Sequence, residues 1–337
     1  MMSNWKVEAA CLAATGTTSW RKIAKKLGVP KSTVSDYLRG VFKEDVHVPT
    51  IKPVHVEKTP KRVHDNDVYR IETVTEVREN VTQLMIPDTQ CKPDIDMSYL
   101  RFVGQYIVDK KPEVIVHIGD HADMPSLSSY DKGKRSAEGK RVNEDIKASI
   151  EGMNTLLKPL YDLQQEEIAL YGQVRYKPKM VLTLGNHEQR IARHVDANPE
   201  LHGLFGYDNL RYEDMGWEVH DFLKPVTING VSYVHFMANP MTGKPYGGAA
   251  LNILKNVGES FCVGHKQTLD VATRFLPSSG RQQWAIIAGA CYEHDEDYKG
   301  YQGNHHWRGI VVKHNVKDGS FNPMFVSLDY LRGRYGN

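Results

Sequence analysis

The sequence predicts an α/β sheet body behind a small all-α head, and three observations predict it. Apolar runs ending at Ile86, Ile118, Leu184, Val234 and Val263 alternate with helical stretches near 95–109, 136–163 and 246–257. Such alternation is the pattern of strands joined by crossover helices. The first 44 residues carry helical periodicity alone, and residues 45–67 carry none. Charge divides at nearly the same place. Residues 1–62 hold 12 of the 43 Lys and Arg but 5 of the 41 Asp and Glu, a balance of +7, which leaves −5 on the rest of a +2 chain. A basic head suits a polyanion and an acidic body collects cations.

Composition narrows the class. The chain has 337 residues, enough for one large domain and a small one, and its 40% hydrophobic and 25% charged content is that of a globular protein. No apolar run reaches the roughly 18 residues of a membrane span, and Met1 to Lys6 has no apolar signal core. The expected place is the cytoplasm, with no membrane partner. Cys11, Cys91, Cys262 and Cys291 form no CxxC pair. They are expected as reduced thiols, not as a disulfide framework or a thiolate zinc site.

In the head (residues 1–44), residues 4–14 place Val7, Ala10, Cys11 and Ala14 on one helical face. Trp20, Ile23 and Leu27 continue the pattern after Gly16, and Val34, Tyr37 and Leu38 after Gly28-Val29-Pro30, with Gly40 as the expected stop. Ser19 to Gly40 resembles a helix-turn-helix of the resolvase-like and homeodomain-like kind. That resemblance implies DNA as partner: Lys31, Ser32, Thr33, Ser35 and Arg39 would face the major groove, and Lys22, Lys25 and Lys26 the phosphates. A helical module that docks a protein partner has the same periodicity. Residues 45–67, with Pro49, Pro53 and Pro60, read as a stiff linker. The body is expected over 68–337, with further strands at Trp284 to Ala288 and Ile310 to Lys313.

Five segments of the body end an apolar strand with metal-type donors. They are LMIPDTQ (Asp88, Gln90), VIVHIGDHAD (Asp120, Asp123), MVLTLGNHE (Asn186, His187), SYVHF (His235) and FCVGHKQ (His265, Gln267). Open α/β folds place sites at the carboxyl ends of strands, and mixed oxygen and imidazole donors suit divalent cations. In this order the segments resemble the motifs of the calcineurin-like metallophosphoesterases, Asp-x-His, Gly-Asp-x-x-Asp, Gly-Asn-His-Glu, His and Gly-His-x-His, over residues 80–270.

The resemblance implies a four-layer α/β/β/α sandwich and two divalent ions in its cleft, Mn2+ favoured and Mg2+, Zn2+ or Fe2+ admissible. Asp120 would bridge both ions, Asp88 would bind the first, and Asn186, His235 and His265 the second. His187 matches the general acid, and Asp123 the carboxylate that orients it. Gln90 and Gln267 stand where the family has His, both at the first ion, so that site is expected to bind loosely. His121 is the one nearby imidazole able to substitute, and its place beside Asp120 turns it elsewhere.

Weaker signals surround these motifs. Lys132, Lys134, Arg135, Lys140 and Arg141 form a solvated loop or a phosphate clamp, and Arg190 a phosphate contact or a surface ion pair. Gly243 to Gly248 lacks nucleotide-loop spacing and is expected as a wall of the site. Glu293 to Asp297 with His305 and His306 is expected as a solvated loop over the cleft. The expected function is a metal-dependent phosphodiesterase, a nuclease or DNA-end-processing enzyme delivered by the head. A phosphomonoesterase is the alternative, weakened because Met124 stands where the protein-phosphatase branch has a phosphate-gripping Arg. A DNA-binding regulator carrying a relic body is the third reading. The pairing of such a head with such a body resembles phosphoesterases of bacteriophages and mobile elements.

Overall fold

A computed structural model describes residue 9 and residues 20–41, 68–296 and 299–336. The chain divides into two compact units, Met1–Arg62 and Val63–Asn337. In the first, α1 (Trp20–Leu27) and α2 (Lys31–Val41) are joined by a turn in which Gly28 adopts φ 64°. Ile23, Ala24, Val34 and Leu38 are buried together with Ala9, while Lys22, Lys25, Lys26, Lys31, Ser32 and Thr33 are exposed and Ser35 is half-buried. Gly40 does not stop the helix, which runs one residue further. The expected helix over 4–14 (apart from Ala9), the linker 45–67, Cys11 and the Arg39 side chain lie outside the described residues.

The second unit is mixed α/β, with two mixed sheets flanked by helices. Its strands are β1 (Val81–Ile86), β2 (Val114–His117), β3 (Lys179–Thr183), β4 (Glu218–His220), β5 (Val226–Ile228), β6 (Val231–Tyr233), β7 (Phe261–Val263), β8 (Leu269–Phe275), β9 (Gln282–Ala288), β10 (Gly309–Lys317) and β11 (Ser320–Ser327). One sheet has the order β11-β10-β1-β2-β3-β4 and the other β5-β6-β7-β9-β8. Strands β1 to β4 run parallel, and beyond β1 the sheet continues through antiparallel β10 to β11 at its edge. In the second sheet β6, β7 and β9 are parallel, with β5 and β8 antiparallel outside them.

The apolar runs of β1 to β3 follow from burial of both faces. Leu84, Ile86, Ile115, Met180 and Leu182 pack against α3 (Tyr99–Lys110) and α4 (Val142–Tyr171). Their alternate neighbours Met85, Val114, Val116 and Val181 pack against Val231, Tyr233, Cys262 and Ile286 of the second sheet. The helix α6 (Ala250–Val257) covers the far face of that sheet through Ile253 and Leu254. Between these come α5 (Gln189–Ala197), and after them α7 (Gly300–Gly303) and α8 (Leu328–Tyr335).

Helix α4 was expected over 136–163 and spans 142–171. Glu144 and Asp145 lie in its first turn, where carboxylates oppose the helix dipole. Gly172 at φ 73° ends it. The four edge strands β4, β5, β8 and β11 and the helices α5 and α8 have no counterpart among the expectations. Their burial is one-sided or mixed, so they lack long apolar runs. Among the described residues Cys91, Cys262 and Cys291 are free buried thiols, and no helix is long and apolar enough to cross a membrane.

Helices α3 and α4 touch at Gly104, where an added Cβ would lie 2.2 Å from the Leu156 carbonyl oxygen and 3.0 Å from Pro159. A Gly104→Ala variant should therefore lose about 1–3 kcal/mol through overpacking. Calorimetric unfolding should show it as a drop in Tm of about 2–4 °C per kcal/mol.

Candidate metal centre

Five loops that leave β1, β2, β3, β6 and β7 bring their donors together. The Asp120 carboxylate, His235 and His265 each offer one atom within 4.8 Å of the others. Asn186 completes the group: its Oδ1 lies 2.9 Å from His235 Nε2 and 2.7 Å from His265 Nδ1. His235 Nε2 is 3.2 Å from Asp120 Oδ2, and His235 Nδ1 is 2.9 Å from the Ile118 carbonyl. With Nδ1–H donated to that carbonyl, Nε2 points a lone pair at two oxygens. It then carries either a second proton or a cation.

The backbone is bent to make the convergence. Gln90, Asp120, His265 and Gln267 all have positive φ, at 44°, 51°, 64° and 58°. Non-glycine residues adopt this region at a cost and collect at functional sites. Two glycines let the chain pass close to the carboxylates. A Cβ at Gly185 would sit 2.1 Å from Asp120 Oδ1, and one at Gly264 2.3 Å from Asp88 Oδ1.

Asp88 is fully buried. Its Oδ1 accepts from the His265 backbone N–H at 3.2 Å, while its Oδ2 has no protein partner. Burial raises its pKa to about 6, opposed by His235 and reinforced by Asp120. Gln90 is buried with neither amide atom partnered. Gln267 lies beside Asp88, but its Oε1 accepts from the Tyr292 hydroxyl at 2.9 Å, and Lys299 Nζ donates to that hydroxyl at 2.8 Å. Orphaned buried oxygens next to a group of converging lone pairs fit a divalent cation, since unpartnered polar atoms in the interior are otherwise unfavourable. Asp120, His235, His265 and Asn186 would hold it, with Asp88 and Gln90 on the adjoining side.

His187 lies at the edge of this group. Its Nδ1 is 2.6 Å from Asp123 Oδ1, and its Nε2 is 3.7 Å from Asp120 Oδ2. Burial alone would lower its pKa; Asp120 and Asp123 overcome it and raise the value to about 9. Burial would likewise raise Asp120, yet His187 and His235 hold its carboxyl below the usual carboxylate range. His235 is raised to about 10 against burial, chiefly by Asp120. His265, partly exposed and farther from a carboxylate, is lowered to about 4 by burial and by His235.

Arg190, one turn after His187 on α5, donates from Nη1 to the Asp123 carbonyl at 2.7 Å, and its Nη2 lies 3.4 Å from His187 Nε2. Met124 is fully buried with φ 50°. His121 faces away from the donors, toward Thr89 Oγ1 at 2.8 Å and the Ser149 carbonyl at 3.0 Å.

Two groups were not foreseen. Glu188 is buried and accepts from the backbone N–H groups of Asp120, Ala122 and Gly185, each at 2.9 Å. The acidic end of the GNHE segment was the available signal. Lys92 bridges Glu296 Oε1 at 2.7 Å and Asp123 Oδ2 at 3.7 Å. The segment around Glu293 to His306 is solvated only in part: Asp295 and His305 are exposed, whereas Glu296 and Asn304 are buried and hydrogen-bond each other through Glu296 N–H to Asn304 Oδ1 at 2.9 Å. Asp297 lies outside the described residues.

The centre opens into a cavity of about 1210 Å3. Asp120, Asn186, His187, Arg190 and His265 line it together with Lys134, Lys140 and Arg141; Lys132, Arg135 and Gly243 to Gly248 do not.

No protein-family model matches the chain. It is similar to the Gene 54 protein of Mycobacterium phage L5 and to that of Mycobacterium phage D29. Each is 24% identical over 213 residues, which covers 61% of this chain and 77% of the relative. The likeness points to phage proteins.

Replacing Glu188 by Gln should weaken Mn2+ binding about 10–100-fold, the usual cost of losing a group that orients ligands, as read by titration calorimetry. The same method tests the charge on His235. Its raised pKa in the metal-free protein means that an entering ion displaces a proton below pH about 10. Apparent affinity should therefore rise with pH, and the heat should vary with the ionisation enthalpy of the buffer.

Proposed function

We propose that the chain is a divalent-metal-dependent phosphoesterase of the calcineurin-like kind, with the four-layer sandwich of that family. In this reading it acts as a phosphodiesterase on nucleic acid, and its basic head binds DNA as a helix-turn-helix. The observation that carries the chemistry is the His187–Asp123 pair standing beside the Asp120, Asn186, His235 and His265 donors at the cavity.

Divalent ions held by these donors would acidify a water and neutralise charge on a phosphoryl group. The chain's own residues do the rest. Asp123 holds Nδ1–H of His187, which orients the ring and leaves Nε2, 3.7 Å from Asp120 Oδ2, as the position of its second proton. An imidazolium there is a general acid for a leaving alkoxide, a role worth about 10²–10⁴ in rate. Glu188 keeps the Asp120 and Gly185 backbones in register, and Arg190 braces the Asp123 loop.

The preference for a diester rests on Met124, which is buried and apolar where a monoesterase of the protein-phosphatase branch would hold its gripping Arg. The nucleic-acid substrate rests on the +7 head and on exposed Lys22, Lys25, Lys26 and Lys31 along α1 and α2.

The test is manganese-dependent hydrolysis of single-stranded, nicked and duplex DNA beside a generic phosphodiester and a phosphomonoester. DNA and the diester should be cut and the monoester spared, whereas selective release from the monoester would reverse the preference. His187→Ala should slow cleavage by about 10²–10⁴ with bound metal unchanged. Undiminished turnover of an unactivated ester would remove His187 from its role.

A further inference from the structure

The phosphoesterase reading leaves open what the wide cavity is for. At about 1210 Å3 it exceeds the roughly 300–1,000 Å3 of a small-ligand pocket. Asp94, Asp295 and Glu296 line it, as does part of the segment 130–141, from which Lys134, Lys140 and Arg141 stand in the lining with Asp131 and Glu138.

Tyr130 opens that segment. It is 82% exposed, and among the described large hydrophobics left exposed it alone lines the cavity. Lys134 and Arg141 line it too and are exposed; Lys140 is half-buried and lies 3.7 Å from Asp131. Among the described residues no ion pair within 4 Å occupies Lys134 or Arg141. Lys134 does lie within electrostatic reach of Asp131. An exposed ring in the same short segment as exposed cations that make no close ion pair is an arrangement that holds unpaired bases by their faces and the adjoining phosphates by charge. A duplex keeps its base faces stacked and offers the ring nothing.

We propose that the Tyr130–Arg141 rim is a platform for single-stranded polynucleotide, with Tyr130 stacking an unpaired base and Lys134 and Arg141 contacting phosphates. This deepens the phosphoesterase reading by naming the form of its substrate, but binding at the rim requires no ion and no catalysis.

The experiment uses the full chain with chelator and a short oligothymidylate carrying 5-iodouracil. After irradiation, the peptide that bears the adduct is identified by mass spectrometry. The adduct should form at Tyr130 with deoxyribose and with ribose strands, persist in Tyr130→Phe, and be competed poorly by duplex. Because the readout is local, binding elsewhere on the chain does not enter it. Adduct yield against strand concentration gives the affinity of the rim alone. Its log–log salt slope should flatten by about 0.7 for each phosphate contact removed by Lys134→Ala or Arg141→Ala.

Adducts confined to other residues would overturn the proposal. So would a rim affinity unchanged in the Lys134→Ala/Arg141→Ala double variant, or displacement of the strand by a phosphopeptide at lower concentration than by a second oligonucleotide. Manganese-dependent hydrolysis of a small diester, which does not span the rim, reports separately on the centre. A rim adduct without that hydrolysis leaves the platform standing and removes the phosphoesterase reading. Hydrolysis without a rim adduct does the reverse.

Discussion

The second unit is organised around a concentration of buried lone pairs at the carboxyl ends of five strands. Asp88, Asp120, Asn186, His235 and His265 present oxygens and imidazole nitrogens to one another with few protons among them. Such an arrangement is unfavourable in an apolar interior unless protons or cations enter it. The surrounding structure is shaped to maintain it. The chain accepts positive φ at Gln90, Asp120, His265 and Gln267, and glycine is required at 185 and 264 because any side chain would collide with a carboxylate.

The same concentration explains why neighbouring imidazoles behave differently. His187 and His235 face carboxylates and hold protons to about 9 and about 10, while His265 loses its proton at about 4. Burial acts in the same direction on all three, so the carboxylate geometry decides. His265 is thus a ready neutral ligand, and His235 becomes one once its proton is displaced. His187 keeps its proton between Asp120 and Asp123 at the lining of the cavity.

The two sides of the centre are unequal. Asn186, His235 and His265 converge closely with Asp120, whereas the other side has only Asp88 and Gln90 with unengaged atoms, since the Gln267 carbonyl is turned to Tyr292. The Lys299–Tyr292–Gln267 chain puts a positive group near that side. A cation on that side would meet the Asp88 carboxylate, two neutral amides and a nearby ammonium.

The order of strands and donors was legible along the chain because each donor directly follows a strand buried on both faces, and such strands read as continuous apolar runs. Edge strands β4, β5, β8 and β11 were illegible for the converse reason: a partly exposed strand has no such run. Residue type and local periodicity, then, determined which side chains stand at strand ends and that they suit divalent ions. Only the tertiary structure decided that Asp120, Asn186, His235 and His265 meet while His121 turns toward Ser149. Only it brought Glu188, Lys92 and Glu296 to the centre and drew Gln267 toward Tyr292. Those outcomes depend on loop backbone angles and on contacts between residues far apart in the chain, as with Gln267 and Tyr292, and no local pattern encodes them.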